Sequence, residues 1–369
     1  MKALAPIPPR FEVDHAAVAA ALPLAALAGC VQDPVHHAEG DVAIHTRMVL
    51  DELVRIPAWR ALDDAGRETV FLASALHDIG KPATTKVEEG GRVTSRGHSR
   101  VGEQMARAFL YRAGFDPIRR EQVAALIRRH QLPFFLIERE NPKRTAFEIS
   151  QSLRCDHLAL VAEADIRGRR CQDLPRILDS IALFVELCRE ADCLDAPRAF
   201  ANDHARVEYF RKPDRDESYA AFDDTRLEVT MLSGLPGSGK DTWLKAHARD
   251  RPVVSLDGIR DEMDLDHGET PGQVIAAAKE RAKEFLRAHQ PFVLNATNIS
   301  REIRGRWLDL FHEYHARVRI VWVETPWTEL LRRNKKREHP VPVPVLDRLV
   351  DKWEPPDLTE AHILERVTS

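Results

Sequence analysis

Gly234-Leu-Pro-Gly-Ser-Gly-Lys240 places glycines and a lysine at the spacing that lets backbone amides curl round phosphate groups. A helix starting just behind such a loop adds a favourable dipole, and Lys240 neutralises charge on a phosphate in transit. The nucleotide-contacting positions are therefore Gly234, Pro236, Gly237, Ser238, Gly239, Lys240, Asp241 and Thr242. The position after such a lysine normally carries the Ser or Thr that holds magnesium. Here it is Asp241, followed by Thr242, and either of the two can face the ion.

A phosphate-cradling loop alone implies only nucleotide binding, so residues that can face an acceptor decide the chemistry. Ser255-Leu-Asp257-Gly-Ile-Arg260 ends a short apolar run. Asp257 can accept the proton of an attacking hydroxyl, and Arg260 can anchor a phosphate of the acceptor. A strand-end aspartate is also an ordinary helix cap. Further on, Arg333 and Arg337 stand four apart in Leu330-Leu-Arg-Arg-Asn-Lys-Lys-Arg337, ahead of Pro340, Pro342 and Pro344. Four-residue spacing puts two arginines on one helix face, as a phosphate-clamping lid requires, although a basic run is equally often a solvated surface.

A different chemistry is spread over the first half. His77-Asp78 closes an apolar helical pattern and is followed by Ile79-Gly80-Lys81-Pro82. His45 and Asp165 stand on other predicted helices. Two imidazoles and two carboxylates form a mixed nitrogen and oxygen donor set that suits manganese, nickel, cobalt or iron more than structural zinc. Lys81 is a candidate phosphate contact or a solvated loop lysine. His204, His247 and His312 lack comparable context and read as surface or structural residues.

The second half resembles the polynucleotide 5'-kinases of phage and bacterial RNA-repair systems, across residues 227 to 355. The resemblance rests on the P-loop, the Asp257-x-x-Arg260 pair, Ala296-Thr297-Asn298 and the Arg333-Asn-x-Lys-Arg337 segment. It implies that Lys240 binds ATP phosphates with magnesium, Asp257 is the general base, Arg260 holds the acceptor phosphate, and Arg333 and Arg337 stabilise the transferring group. Asn295 stands where relatives often carry an aspartate.

The first half is similar to the HD phosphohydrolase superfamily, and to the HD domains of bacterial tRNA nucleotidyltransferases in particular, over residues 30 to 175. That resemblance implies a divalent metal held by His45, His77, Asp78 and Asp165. It also implies a second metal or phosphate contact at His98 and His130, and a substrate contact at His37. Together the halves resemble HD-Pnk type bifunctional RNA end-healing enzymes. These remove 2',3'-cyclic phosphate or monoester ends, phosphorylate 5'-hydroxyl ends of RNA or DNA, and prepare breaks for a polynucleotide ligase. Two rivals stand beside this: an HD nucleotide hydrolase gated by an ATP-sensing P-loop domain, and a small-molecule kinase fused to an HD hydrolase. A sensor needs neither an acceptor base nor lid arginines.

The elements that must carry these residues follow from periodicity. From residue 11 to about 208, apolar positions recur at three and four spacing, as in Val70, Leu72, Ala73, Leu76 and in Ile177, Ile181, Phe184, Cys188, which predicts helices and no strand. Leu227–Leu232, Val253–Leu256, Phe292–Leu294 and Val318–Val323 read as strands alternating with helices, hence a parallel sheet. Thr270-Pro-Gly-Gln273 predicts a capping box ahead of a helix from Val274 to His289. The expected organisation is an all-α HD-type domain over 1–210, a linker at 211–225 around Pro213, and an α/β P-loop kinase domain over 226–369.

At 369 residues, 44% hydrophobic and 30% charged, the chain is long enough for two globular cores. A net charge of -4 excludes a protein that coats long nucleic acid, but not one that grips an end. No run of eighteen uncharged apolar residues and no secretory leader is apparent, so a cytoplasmic, membrane-free protein is expected. Five cysteines without a CxxC pair argue for buried thiols rather than a disulfide framework or a structural zinc site.

Overall fold

The computed structural model describes residues 3–265 and 270–368, and divides into two compact units, 1–199 and 200–369. The first is helical. The helices Val42–Leu53, Asp64–Leu76 and Cys155–Arg167 pack on one another, and His98–Arg112 packs on Pro117–Arg129. Three of these starts are set by side-chain caps: for Val42–Leu53 Asp41 accepts from Ile44 N, for Asp64–Leu76 Asp63 from Gly66 N, and for Pro117–Arg129 Asp116 from Arg119 N. Each such cap contributes about 1 kcal/mol. Val70, Phe71, Leu72 and Leu76 are fully buried at the centre, so the helix that delivers His77 and Asp78 at its end is anchored by apolar packing.

Two short strands, β1 (Lys86–Val87) and β2 (Val93–Thr94), form an antiparallel hairpin here, against the expectation of helices only. Two residues per strand are too few to leave an alternating pattern.

The second unit carries a five-stranded sheet of β3 (Leu227–Ser233), β4 (Val253–Ser255), β5 (Phe292–Asn295), β6 (Ala316–Glu324) and β7 (Ile363–Thr368). Its pairings are all parallel, in the order β4-β5-β3-β6-β7. Val229, Met231, Phe292, Leu294, Val318 and Ile320 face helices Pro271–Arg287 and Arg301–Glu313, while Leu232, Val293, Val321 and Val323 pack against Trp243 on the other face. Burial on both faces explains the near-continuous apolar runs of β3 and β6.

Three expectations are corrected. β7 was not foreseen: it is an edge strand carrying Glu365 and Arg366, and charges that blunt a sheet edge erase the apolar signal. The helix Asp203–Arg211 lies in the second unit, so the compact division falls at residue 199 rather than after 210. Thr270 adopts positive φ and makes no side-chain cap, so the helix starts at Pro271 without the capping box. Among the described residues no helix is long and apolar enough to cross a membrane.

Candidate active sites

In the second unit the P-loop leaves β3 at Ser233 and curls beside the carboxyl ends of β5 and β6, where strand order reverses and ligands bind in open α/β sheets. Gly234 has φ +157, and a Cβ there would stand 2.3 Å from Val323 O and 2.7 Å from Ser238 Oγ, so only glycine fits. Gly234 N donates to Thr297 O at 2.9 Å. Asn298, 1% exposed, donates Nδ2 to Leu232 O, and its own carbonyl accepts from Ser233 Oγ and Arg304 Nη1. Thr297 and Asn298 thus fix the loop from behind.

A cavity of about 950 Å³ opens on this loop, lined by Pro236, Gly237, Gly239, Lys240, Asp241 and Thr242. Asp257, Asn295, Arg333 and Arg337 reach the same cavity. Lys240 Nζ donates to Gly234 O and Leu235 O, both at 3.0 Å. Burial pushes its ammonium down to about 8, against the opposing pull of Asp241 and Asp257. Asn295 Nδ2 donates to Asp241 Oδ1 at 2.9 Å, so the residue after the P-loop lysine is tied to the end of β5.

Asp257 is not the cap of its helix. Ser255 caps Leu256–Glu262 by accepting from Gly258 N, which leaves the Asp257 carboxylate free to project. Arg260 Nη1 donates to Asp257 Oδ1 at 2.7 Å, but Arg260 is not among the residues lining the cavity. Arg333 lies in the last turn of Trp327–Lys335, whereas Arg337 follows the helix end rather than sharing a helical face with it. Both still meet the cavity, because the chain turns back there. Asn334 makes that turn: Nδ2 donates to Val341 O at 2.7 Å and Oδ1 accepts from Val341 N at 3.0 Å. His247, read as contextless, stacks on Trp243 with ring centroids 4.9 Å apart, and both line the cavity.

In the helical unit, His45, His77, Asp78 and Asp165 converge from three segments. His45 Nε2 is 3.1 Å from Asp165 Oδ1, 3.3 Å from His77 Nε2 and 3.8 Å from Asp78 Oδ2. His77 Nε2 is 3.2 Å from Asp78 Oδ2 and 3.8 Å from Asp165 Oδ1. The other oxygen of Asp78 faces His98 Nε2 at 3.5 Å, and His98 Nε2 faces His130 Nε2 at 3.4 Å. Asp78 therefore joins two adjacent donor clusters. Gly80 permits it: a Cβ there would stand 2.2 Å from His98 O and 2.6 Å from Gly102 N.

The tautomers follow from the partners on the far side of each ring. Nδ1 of His77, His98 and His130 faces the carbonyls of Ser74, Ser95 and Ile127, each at 2.8 Å. A carbonyl can only accept, so each Nδ1 carries a proton, which leaves Nε2 as the nitrogen able to offer a lone pair to a cation. His45 Nδ1 faces Glu39 Oε1 at 3.0 Å, and Glu39 Oε1 also lies 2.8 Å from His37 Nδ1. Nothing in the spacing of His37-Ala-Glu-Gly marks Glu39 as a partner of His45. Its role is to orient His45, and His37 stands one step behind.

Burial pushes His130 down to about 3, reinforced by His77 and His98, and pushes His37 to about 4. Against the cost of burial, His77 and Lys81 hold Asp78 well below the usual carboxylate range, and Arg169 and His45 do the same for Asp165. Lys81 is buried, with Nζ 2.7 Å from Asp78 Oδ2 and 2.6 Å from Gln32 Oε1, so it is not a solvated loop lysine. Neither Asp78 oxygen receives a well-directed hydrogen bond. Converging imidazole nitrogens and a buried carboxylate without well-directed hydrogen bonds are what a divalent cation satisfies, and the residues fit one.

The matches to known proteins fall one within each unit. Residues 42–166 match the family model of the HD domain and residues 229–356 that of an AAA domain. Over 94 residues, 25% of this chain and 21% of the relative, the chain is 39% identical to the CC-adding tRNA nucleotidyltransferase of Thermus thermophilus. Over 152 residues, 38% of this chain and 58% of the relative, it is 24% identical to the L-seryl-tRNA(Sec) kinase of Methanococcus maripaludis. It thus spans less than two thirds of either relative. Among solved structures, a putative kinase from Chloroflexus aurantiacus is similar at 18% identity and a TM-score of 0.34, covering 39% of this chain and 89% of its own.

Proposed function

From a chain that joins a helical HD domain to a P-loop kinase fold, we propose a bifunctional enzyme that heals RNA ends. The second unit transfers the γ-phosphate of ATP to a 5'-hydroxyl end, and the first hydrolyses 2',3'-cyclic phosphate or terminal monoesters. The observation that carries the kinase reading is that Lys240, Asp257, Arg333 and Arg337 line one cavity. RNA as substrate is supported by the two relatives, both named for tRNA.

In the kinase, Asp257 takes the proton of the attacking hydroxyl, its carboxylate oriented by Arg260. Lys240 releases the carbonyls of Gly234 and Leu235 and turns to the donor phosphates, while Arg333 and Arg337 neutralise the group in flight. Magnesium, when bound, neutralises the donor phosphates; Asp241, held by Asn295, is the oxygen donor that would hold it. In the hydrolase, His45, His77, Asp78 and Asp165 would hold one divalent ion, with His98 and His130 beside Asp78 for a second ion or the phosphate. Such an ion supplies Lewis acidity towards the phosphate. Glu39 and the three backbone carbonyls keep the imidazoles aimed, and Arg169 and Lys81 balance the carboxylates.

A second reading, a small-molecule kinase, is favoured by one observation: Arg260 pairs with Asp257 rather than facing the cavity as a phosphate anchor would. One experiment tests both. The protein is incubated with RNA bearing a 5'-hydroxyl and a 2',3'-cyclic phosphate, beside Lys240→Ala and Asp78→Ala, with nucleosides and nucleoside 3'-phosphates as competing acceptors. Lys240→Ala should lose only 5' phosphorylation and Asp78→Ala only end hydrolysis. Phosphorylation of free nucleosides in preference to RNA would establish the second reading.

A further inference from the structure

Cys155, Cys188 and Cys193 show none of the close spacing of a metal motif, yet the fold brings them together. Cys155 opens the helix Cys155–Arg167, Cys188 stands in the last turn of Leu174–Glu190, and Cys193 lies just beyond that helix. Their three sulfur atoms lie within 4.8 Å of one another and each residue is 0% exposed. The backbone holds the arrangement: Cys193 N donates to Cys188 O, and Asp156 N to Leu194 O, both at 2.9 Å.

Buried cysteines often pack simply as small apolar groups. Two features go beyond packing. The positive end of a helix meets the cluster, since Cys155 is the first residue of a 13-residue helix. Arg198 pairs with Asp192 at 3.2 Å, while its buried Nε has no hydrogen-bond partner. The sulfurs also sit at the ends of two elements and a turn, where one ion would clip three segments.

We propose that Cys155, Cys188 and Cys193 form a closed three-thiolate site for one thiophilic d10 cation, distinct from the histidine and aspartate cluster. Cys155 and Asp165 stand ten residues apart on one helix, about 15 Å along its axis, so the two sites are separate. The ion would pin the start of the helix whose far half carries Asp165. Three sulfur donors suit copper(I) directly; zinc, which takes four ligands, would need a further donor. The inference rests on neither proposed activity.

The test is titration of the reduced, metal-free full chain with cadmium, followed by thiolate-to-metal charge-transfer absorption, to which nitrogen and oxygen ligands do not contribute. The band should saturate at one ion per chain, persist in Cys30→Ala and Cys171→Ala, and weaken at least about tenfold in affinity in Cys193→Ala. Competition by copper(I) or by zinc then assigns the ion, and failure of both to compete overturns the site. Absence of the band, or its survival in Cys193→Ala, overturns it as well. Should Cys193→Ala not fold, alkylation of the wild-type chain decides: cadmium should slow modification of these three thiols at least about tenfold, and unchanged rates overturn the proposal.

Discussion

Asn295 Nδ2 donates to Asp241 Oδ1 across 2.9 Å, joining the end of β5 to the first turn behind the P-loop. Two departures from the kinase pattern thereby become one. A carboxylate stands where a hydroxyl is usual, and a neutral amide stands opposite, where a carboxylate is usual. The pair keeps a single negative charge and exchanges the side that bears it.

The exchange is testable as a double-mutant cycle. Asp241→Ser removes the only carboxylate of the pair and should lower kcat/KM for phosphorylation by about 100-fold or more, while Asn295→Asp alone sets two carboxylates side by side and also impairs it. Asp241→Ser combined with Asn295→Asp should recover to within about tenfold of wild type. Magnesium titration of kinase activity reads the outcome, and additive losses in the double variant would refute the exchange.

Glu39 orients His45 from behind the cluster, so it should act through metal affinity. Glu39→Gln keeps the shape but removes the carboxylate facing His45 Nδ1, and should weaken metal binding by about 10- to 100-fold. Hydrolase activity at limiting metal should fall with it and return at high metal, while kinase activity stays unchanged. A loss that excess metal does not restore would place Glu39 elsewhere in the chemistry.

These two relationships mark how far the sequence was legible. His45, His77, Asp78 and Asp165 could be singled out because histidine and aspartate are costly to bury and stand out on apolar helices, whereas His98 and His130 came only from the resemblance to HD domains; the structure brings all six together. Glu39 could not, and Asn334 entered only within the quoted Arg333–Arg337 segment, because each acts through one partner set by the chain turn rather than by local spacing. Arg337 was assigned to a helical face it does not occupy, although the turn after Asn334 returns it to the cavity. The cysteines show the same limit, since neither helix alone predicts which of its ends meets the other. In the sheet, β3 and β6 announced themselves because both faces are covered, whereas β7, polar at an edge, did not.

The buried ammonium of Lys240 predicts a pH dependence of nucleotide binding. Its pKa is lowered to about 8 by burial, so between about 8 and 10.5 the folded, nucleotide-free protein has lost a proton that the unfolded chain retains. In that window this group makes folding stability rise with pH, and below about 8 its contribution is constant and unfavourable. Bound phosphates need the charged form and restore it. ATP affinity should therefore be flat up to about pH 8 and fall by nearly tenfold per unit above it, with proton uptake on binding. Calorimetric titration in buffers of different ionisation enthalpy measures both, and Lys240→Arg, which stays charged, should show neither.

Asn334 predicts a gradient rather than a switch. Buried at 3% exposure, it ties the last turn of Trp327–Lys335 to the return segment through a donated and an accepted hydrogen bond at Val341. Asn334→Ala leaves a backbone N–H and a carbonyl without those partners, at a local cost of about 1–3 kcal/mol. Asn334→Asp can still accept from Val341 N but has no donor for Val341 O, and should fall between. Because the segment carries Arg337 and Pro340 into the cavity, kcat for phosphorylation should decrease in the order wild type, Asn334→Asp, Asn334→Ala. Tryptic cleavage after Lys336 and Arg337 should accelerate in that same order, and hydrolase activity should not move. Cleavage rates that ignore the substitution would show that Asn334 does not hold the turn.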